Sequence, residues 1–397
     1  MVQTQQRVFY GRKCYIMLAV KVINMRFAHL ADLHLGKKLA GIDLIDDQRT
    51  VLSEIVDIIK KRRLTMAVIA GDVFDKSIPS EQALELFDDF ITELAGHNVR
   101  VFIISGNHDS AERLSNYSTL LAKSEIYVAH PFDGHVQKLE FKDRFGRYEV
   151  DMLPFFKPSN VRPFYPQSKI ESYQDAFDAV IADAHLEPSI RHILLCHQFI
   201  SGGVVSDSED HVVGGLDMID ASALGELDYV ALGHLHKPQH VGRRSIRYAG
   251  SPLRYSLSEM DQDKVLPVIT IKEKGTLEIE NFPLEQPHGM RRLTGLTDEL
   301  AQMPYSEDFV DVTVTDNEVM PDARVTLSTN FPNMIGFSVA NDKMKDSLDV
   351  DGGQQQLTRS DAEMFRAFYR YQNNVDPSEP QMEIVNRIID EIGEEDR

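Results

Sequence analysis

The sequence contains only two cysteines, Cys14 and Cys196, and no CxxC pair. So few cysteines exclude a disulfide framework and a thiolate zinc site, and they indicate a reducing, cytoplasmic compartment. Long apolar runs are absent too, because the stretch at residues 15–20 is too short for a membrane anchor and Lys21 ends it. The chain has no internal repeat and no low-complexity tract, which favours ordinary globular domains.

Basic residues are also scarce. The 397 residues include 42 Lys and Arg against 62 Asp and Glu, giving a formal net charge of −20. This balance argues against a protein that binds nucleic acid through a general basic surface. A site for a phosphate polymer on such a chain would need metal ions and a few local basic residues to offset the acidic charge.

The length predicts two or three domains. We predict a disordered N-terminal extension at 1–24, a main domain at 25–284, a smaller α+β domain at 285–345, a polar linker at 346–359 and C-terminal helices at 360–397. The alternation of Val310, Val312 and Val314 predicts a strand in the smaller domain. The apolar faces of the C-terminal helices either pack on the chain's own core or bind a partner, since two short helices behind a polar linker have little core of their own.

Apolar runs of strand character occur along the main domain. They lie at residues 25–31, 66–70, 99–105, 192–195 and 229–232. Helices are predicted between the first three, at about 46–63 and 80–96, the second with Ser80 as N-cap and Leu84 among its buried residues. This alternating order predicts a layered α/β domain with right-handed crossovers.

Polar groups that bind metal ions follow each of the five runs. The fragments are Asp-Leu-His at 32–34, Gly-Asp at 71–72, Gly-Asn-His-Asp at 106–109, Cys-His at 196–197 and Gly-His-Leu-His at 233–236. Functional groups of an α/β sheet gather beyond the carboxyl ends of its strands, so we expect one shared crevice. The candidate metal ligands are Asp32, His34, Asp72, Asn107, His197, His234 and His236.

Seven ligands are too many for one ion, whereas two ions about 3.5–4 Å apart, bridged by a carboxylate and a water, would use them all. The mixed oxygen and imidazole set suits Mn²⁺, Fe²⁺ or Zn²⁺. Such a pair clamped by Asp72 suits hydrolysis of a phosphate ester. His108 is left over as a candidate proton donor, with Asp109 placed to orient it. Each fragment alone has an ordinary explanation as a turn, but five at strand ends favour the dinuclear site.

These fragments resemble the calcineurin-like metallophosphoesterase superfamily. Asp-Leu-His-Leu-Gly at 32–36, Gly-Asp-Val-Phe-Asp at 71–75, Ser-Asp-Ser-Glu at 206–209 and Tyr-Ala-Gly-Ser-Pro-Leu at 248–253 are similar to its bacterial nuclease subunits. The resemblance implies an α/β fold: a layered β-sandwich flanked by helices, then a smaller capping domain and C-terminal helices. It also implies two Mn²⁺ ions, one held by Asp32, His34, Asp72 and His236, the other by Asp72, Asn107, His197 and His234. His108 would be the catalytic histidine.

The implied activity is a 3′ to 5′ exonuclease on double-stranded DNA and an endonuclease on hairpins and single strands. The implied setting is DNA repair, recombination and replication of palindromes, in a homodimer that joins a coiled-coil ATPase as a heterotetramer, without a membrane. Archaeal and eukaryotic relatives have His where this chain has Asp75, which leaves the role of Asp75 open. Candidate phosphate contacts are Lys37, Lys38, Arg113, Arg243, Arg244 and Arg254.

Two other functions are compatible with the same residues. A phosphatase or cyclic-nucleotide phosphodiesterase would use the same ions, although a small substrate gives no reason for a domain beyond residue 285. A scaffold with a structural metal site is the third possibility. The scaffold predicts that replacing His108 leaves function intact, because His108 is not needed as a ligand.

Overall fold

A computed structural model describes residues 7–10, 13–16, 25–209, 218–225, 227–317 and 321–340, and shorter runs between 362 and 389. The predicted linker at 346–359 and most of the predicted C-terminal helices lie outside the described residues. Contacts divide the chain into two units. The first comprises Met1–Arg292, Pro304–Asp311 and Ser328–Gly336, and the second comprises Leu293–Met303, Val312–Leu327 and Phe337–Arg397.

Strands make up most of the regular structure. They are β1 (Arg7–Tyr10), β2 (Lys13–Ile16), β3 (Met25–Leu30), β4 (Lys38–Leu39), β5 (Ile42–Asp43), β6 (Met66–Ala70), β7 (Arg100–Ile104), β8 (Ile126–Val128), β9 (Gln137–Asp143), β10 (Gly146–Leu153), β11 (Arg191–His197), β12 (Tyr229–Gly233), β13 (Gln239–His240), β14 (Ile246–Tyr248), β15 (Val265–Ile271), β16 (Leu277–Pro283), β17 (Met290–Gly295), β18 (Phe309–Val314) and β19 (Met334–Val339). The helices are α1 (Ile45–Arg62), α2 (Glu81–Gly96), α3 (Ala111–Leu114), α4 (Ser118–Leu121), α5 (Pro158–Val161), α6 (Tyr173–Asp183), α7 (Thr297–Ala301) and α8 (Ala323–Ser328).

Two six-stranded sheets form the centre of the first unit, with the orders β16-β15-β3-β6-β7-β8 and β13-β14-β12-β11-β10-β9. In the first sheet β3, β6, β7 and β8 are parallel. In the second sheet β10, β11, β12 and β14 are parallel. Antiparallel strands complete one edge of the first sheet and both edges of the second. Both sheets therefore direct the carboxyl ends of their parallel strands to one edge, where ligand sites of α/β folds form.

Apolar side chains from both sheets interdigitate between them, among them Phe27, Phe102 and Tyr229. Helices α1 and α2 cover the outer face of the first sheet, and α6 covers the outer face of the second. The predicted α/β sandwich flanked by helices is confirmed. Among the described residues, no helix has the length and apolar character needed to cross a membrane.

Several local predictions can be compared with the structure. Helices α1 and α2 begin and end within one residue of the predicted limits, and the Ser80 hydroxyl accepts a hydrogen bond from the Ala83 amide at 3.2 Å. Leu84 is 49% exposed, so its predicted burial is wrong. Within the predicted N-terminal extension, β1 and β2 pair as an antiparallel hairpin, and the rest of residues 1–24 lies outside the described part of the chain.

The second unit carries parts of a three-stranded sheet with the order β17-β18-β19. Val310, Val312 and Val314 in β18 are fully buried, which confirms the predicted strand and its apolar face. Within this unit, the Asp316 carboxylate accepts hydrogen bonds from the Thr297 amide at 2.8 Å and hydroxyl at 2.7 Å, which caps the start of α7.

Candidate metal centre

The seven candidate ligands lie just beyond the carboxyl ends of β3, β6, β7, β11 and β12, and the structure brings them together. Contacts join the two sheets at this edge. The His234 amide donates to Asp32 Oδ1 at 2.8 Å, and Nε2 of His197 lies 3.0 Å from Asn107 Oδ1. The side chains form two adjoining clusters that share Asp72.

The first cluster contains Asp32, His34 and His236, whose ligand atoms all lie within 4.8 Å of one another. The two Nε2 atoms of the histidines are 3.1 Å apart, and Nε2 of His34 is 3.6 Å from Asp72 Oδ2. The Oδ2 atom of Asp32 is buried and has no hydrogen-bond partner among the described residues. An unpaired buried carboxylate oxygen is costly, and a cation at this point would compensate it.

The second cluster contains Asn107, His197 and His234. The Asn107 Oδ1 atom lies 3.0 Å from Nε2 of His197 and 3.0 Å from Nδ1 of His234. The Nδ1 atom of His197 donates to the carbonyl oxygen of Ala70 at 2.8 Å, because a carbonyl can only accept. In neutral His197 the Nε2 lone pair therefore faces the Asn107 oxygen, and only a proton or a metal ion between them makes this geometry favourable.

Asp72 belongs to both clusters, because its Oδ2 atom is 3.3 Å from Nε2 of His197 and 3.6 Å from Nε2 of His34. Burial alone would raise the pKa of Asp72, but the neighbouring histidines, His197 first, hold it well below its usual range. Burial would likewise lower the pKa of His197, and Asp72 raises it to about 9. Asp72 is thus a buried carboxylate that contacts both clusters.

The other histidines are held in the neutral form that binds metal. Burial lowers the pKa of His34 and of His236. Burial, followed by the charge on His197, lowers the pKa of His234 to about 3. The same burial raises the pKa of Asp32. These directions reflect burial, which disfavours any charge left without a partner.

Glycines allow the strand ends to approach this closely. A Cβ atom on Gly71 would overlap the ring of His197, one on Gly106 would overlap the Asp72 carboxylate, and one on Gly233 would overlap a backbone carbonyl of β6. Only glycine fits at these three positions without displacement of backbone or ligand. The glycines in the sequence fragments are therefore part of the site's geometry.

His108 lies beside the first cluster, with its ring 4.8 Å from the ring of His34, centroid to centroid. Its Nδ1 atom lies 3.0 Å from the backbone carbonyl of Asp75 and so carries a proton. The prediction that Asp109 orients His108 is wrong. The Asp109 carboxylate instead accepts hydrogen bonds from three backbone amides, those of Val73, Phe74 and Gly106, and so links its own loop to the loop after β6. Burial and then the charge on Asp72 raise the pKa of Asp109 to about 6.

Three of the six candidate phosphate contacts lie near the crevice. Lys37 pairs with Asp75 at 2.9 Å and is mostly buried. Lys38 is exposed and lies 3.4 Å from Asp43. Arg113 is exposed on α3, which follows directly on the Asp109 loop.

The other three have different surroundings. Arg243 donates to the Leu227 carbonyl at 2.9 Å, and both Arg243 and Arg244 line a cavity with Leu227, which precedes β12. They therefore lie at the amino end of that strand, about 16 Å from the carboxyl end at the usual rise per residue, and we do not retain them as contacts at the crevice. Arg254 donates to the backbone carbonyl of Gln262 at 3.1 Å.

Residues that sequence reasoning did not assign to the site enclose the far side of His236. They are Ser208, Glu209, Glu259 and Lys264, all in contact with its ring or its backbone. Ser208 and Glu209 belong to the Ser-Asp-Ser-Glu fragment at 206–209, which is one of the fragments that carry the family resemblance. Glu259 and Lys264 lie in an ordinary polar stretch, and no local pattern distinguishes them.

Fold and site together define a metal-dependent phosphoester hydrolase: a mixed α/β sandwich with carboxylate, amide and imidazole groups at its carboxyl edge. The sequence model of the calcineurin-like phosphoesterase family matches residues 25–238, more than half of the chain. The chain belongs to that family.

Curated relatives cover most of the chain. A protein from Staphylococcus epidermidis (strain ATCC 12228 / FDA PCI 1200), described as the D subunit of the nuclease SbcCD, is 30% identical over 322 residues, which cover 79% of this chain and 85% of the relative. A protein of the same description from Staphylococcus saprophyticus subsp. saprophyticus is 28% identical and covers 79% of this chain and 84% of the relative. The structure of a dimetal phosphatase from Danio rerio has a TM-score of 0.39 at 12% identity, covering 66% of this chain and 99% of that chain.

Proposed function

We propose that this protein is the DNA nuclease component of a complex with an SbcC-type coiled-coil ATPase. The observation that carries the proposal is the pair of adjoining clusters that share Asp72, because phosphodiester hydrolysis requires charge stabilisation on both the attacking and the leaving oxygen. The curated relatives are named as subunits of a nuclease, which supports a nucleic acid as the substrate, and the family resemblance implies that it is DNA. The nuclease would act in DNA repair, recombination and the replication of palindromes.

The chain would hold two divalent ions, and we propose Mn²⁺. Asp32, His34, Asp72 and His236 would hold one ion, while Asp72, Asn107, His197 and His234 would hold the other. When bound, the ions supply Lewis acidity at the phosphate and lower the pKa of a coordinated water. Two observations support this assignment. The Oδ2 atom of Asp32 is buried and has no hydrogen-bond partner among the described residues. The Nε2 atom of His197 lies 3.0 Å from the Asn107 oxygen, where a metal ion could bind both.

His108 is the proposed proton donor. Because the Asp75 carbonyl fixes the proton on Nδ1, the Nε2 atom is the one available to the substrate. A proton on Nε2 would pass to the leaving oxygen of the cleaved ester, or it would stabilise the negative charge that develops there. His108 is partly exposed, as a residue that contacts a substrate must be.

Other parts of the chain have proposed roles that follow the family resemblance. Lys37, Lys38 and Arg113 would contact DNA phosphates close to the ions, offsetting the acidic net charge of −20. The domain at 285–345 would cap the DNA, and the helices at 360–397 would dock on the ATPase. Two copies of each of the two proteins would form a cytoplasmic heterotetramer.

The test is Mn²⁺-dependent cleavage of a labelled DNA hairpin by the purified chain, with and without the ATPase. We expect His108→Ala to lower the cleavage rate by about 10²–10⁴-fold, the usual contribution of a general acid, while Mn²⁺ binding is retained. His97→Ala is the matched control, because His97 is an exposed histidine at the end of α2. Hydrolysis of a simple phosphodiester without any cleavage of DNA would refute the nuclease and leave the small-substrate phosphodiesterase. Full activity of His108→Ala would refute the role of His108.

A further inference from the structure

A closed group of polar residues lies behind His236, on the side away from the crevice. The ammonium of Lys264 and the carboxylate of Glu259 are both fully buried and 2.6 Å apart. The Ser208 hydroxyl lies between Glu259 and the ring of His236. We infer that Ser208, Glu259 and Lys264 are positioning residues that fix the tautomer of His236 and so present its Nε2 lone pair to a metal ion. The metal-binding part of this inference rests on the proposed function.

The direction of each hydrogen bond follows from what the groups can donate. Lys264 only donates and the Glu259 carboxylate only accepts, so their contact is fixed. Ser208 has one hydroxyl proton, which it gives to Glu259 Oε1. Its oxygen then accepts from Nδ1 of His236, which lies 2.7 Å away. His236 must carry its proton on Nδ1, and its Nε2 lone pair is left facing Nε2 of His34 at 3.1 Å.

The same group also holds the backbone of His236. The carbonyl oxygen of His236 accepts from Lys264 Nζ at 2.9 Å and from the Ser251 amide at 3.1 Å. Its amide donates to the carboxylate of Glu209. Ring and peptide are therefore fixed by separate partners, which restricts the imidazole to one orientation. Outer partners of this kind typically change metal affinity by about 10–100-fold when they are removed.

A purely structural role would account for less of this geometry. A buried ion pair is weak evidence for stability, because desolvation offsets most of its attraction. Stability alone gives no reason for a hydroxyl between Glu259 and the Nδ1 atom of His236. Replacing Glu259 is a poor test, since it leaves the buried charge of Lys264 uncompensated. Ser208 is only half-buried, so its replacement removes the hydroxyl between Glu259 and His236 and leaves the ion pair in place, with Glu259 Oε1 3.5 Å from Nδ1 of His236.

Ser208→Ala is therefore the informative variant, and the chain offers a matched control. The Ser256 hydroxyl donates to the same Glu259 oxygen at 3.1 Å but makes no hydrogen bond to His236 among the contacts of the described residues. Ser208→Thr keeps the hydroxyl and should restore the wild-type behaviour. The first measurement is ¹⁵N NMR of the metal-free protein, with His236 assigned from a His236→Gln spectrum. The second is a Mn²⁺ binding isotherm that resolves two ions.

We expect Nδ1 of His236 to be protonated in the wild-type protein, in Ser256→Ala and in Ser208→Thr. In Ser208→Ala the Nε2-protonated tautomer should become populated, and one of the two Mn²⁺ ions should bind about 10–100-fold more weakly. The other ion should keep its affinity. An unchanged tautomer and unchanged binding in Ser208→Ala would overturn the inference, as would an equal loss in Ser256→Ala.

The tautomer measurement separates this inference from the proposed function, because it needs no metal. A wild-type His236 protonated on Nε2 would overturn the inference even if two ions bind. A wild-type protein with the expected tautomer, lost in Ser208→Ala, would support the positioning role even if no Mn²⁺ bound. That second result would refute the dinuclear site instead.

Discussion

The ion pair behind His236 allows a quantitative prediction about stability. Both side chains are fully buried, and Lys264 also donates to Ser251 Oγ at 2.9 Å and to the His236 carbonyl at 2.9 Å. Glu259→Gln leaves this ammonium with neutral acceptors only. Breaking a buried pair from one side costs about 3–5 kcal/mol, because the remaining charge stays desolvated. Lys264→Met should cost a similar amount by leaving the carboxylate of Glu259 unpaired.

The double variant distinguishes pairing from general packing damage. If the two charges compensate each other, Glu259→Gln with Lys264→Met should be no less stable than either single variant. At an m value of about 3 kcal/mol/M, each single variant lowers the urea midpoint by about 1–2 M. Unfolding should be followed by circular dichroism in EDTA, so that bound metal does not add to the measured stability.

The outcome that would refute this reasoning is additivity. Losses in the double variant equal to the sum of the single losses would mean that the charges contribute independently. Single losses below about 1 kcal/mol would place the pair in the energy range of exposed salt bridges. Either result would mean that the buried pair of Glu259 and Lys264 does not hold Ser208 in its orientation.

Two further predictions follow from the geometry. Gly71→Ala should abolish binding of the ion assigned to the second cluster, because the added Cβ overlaps the ring of His197; metal titration checks this, and wild-type affinity would contradict it. His192→Asn should remove a pH dependence of stability. Burial lowers the pKa of His192, but its 2.8 Å contact with Asp151 outweighs this and raises it overall. The stabilisation is complete below the unfolded pKa near 6.5 and is lost as pH rises through the folded pKa. Urea midpoints of both proteins at pH 6 and pH 9 test this, and equal pH slopes would contradict it.

Much of the site could be predicted from the sequence because its signals are local. The fragments that carry the proposed ligands follow directly on apolar strands. The same short stretch of sequence therefore predicts both where a strand ends and which functional group lies there. The parallel arrangement of strands then brings separate ends to one edge without further information. Asp32 and His236 are more than 200 residues apart and still meet for this reason.

The parts that could not be predicted depend on tertiary contacts. Glu259 and Lys264 look like solvated charges in sequence, and only the position of His236 makes them a buried pair. Asp109 looks like a partner for its neighbour His108. Its carboxylate instead accepts hydrogen bonds from backbone amides in its own loop and in the loop after β6. The buried side of α2 begins at Ala83 and Leu86, so the predicted apolar stripe, which begins at Leu84, is one residue out of register at the start of the helix.

The backbone conformation of the site could not be predicted from any residue pattern. Asp32, His34, Asp72 and His234 all have positive φ, between 43° and 106°, a region that costs non-glycine residues about 1–3 kcal/mol each. The loops offset this strain by bonding to each other, since the Asp32 amide donates to the Gly71 carbonyl and the His34 amide to the Asp72 carbonyl, each at 3.0 Å. These hydrogen bonds join the loop after β3 to the loop after β6 and so fix the backbone of three proposed ligands, Asp32, His34 and Asp72.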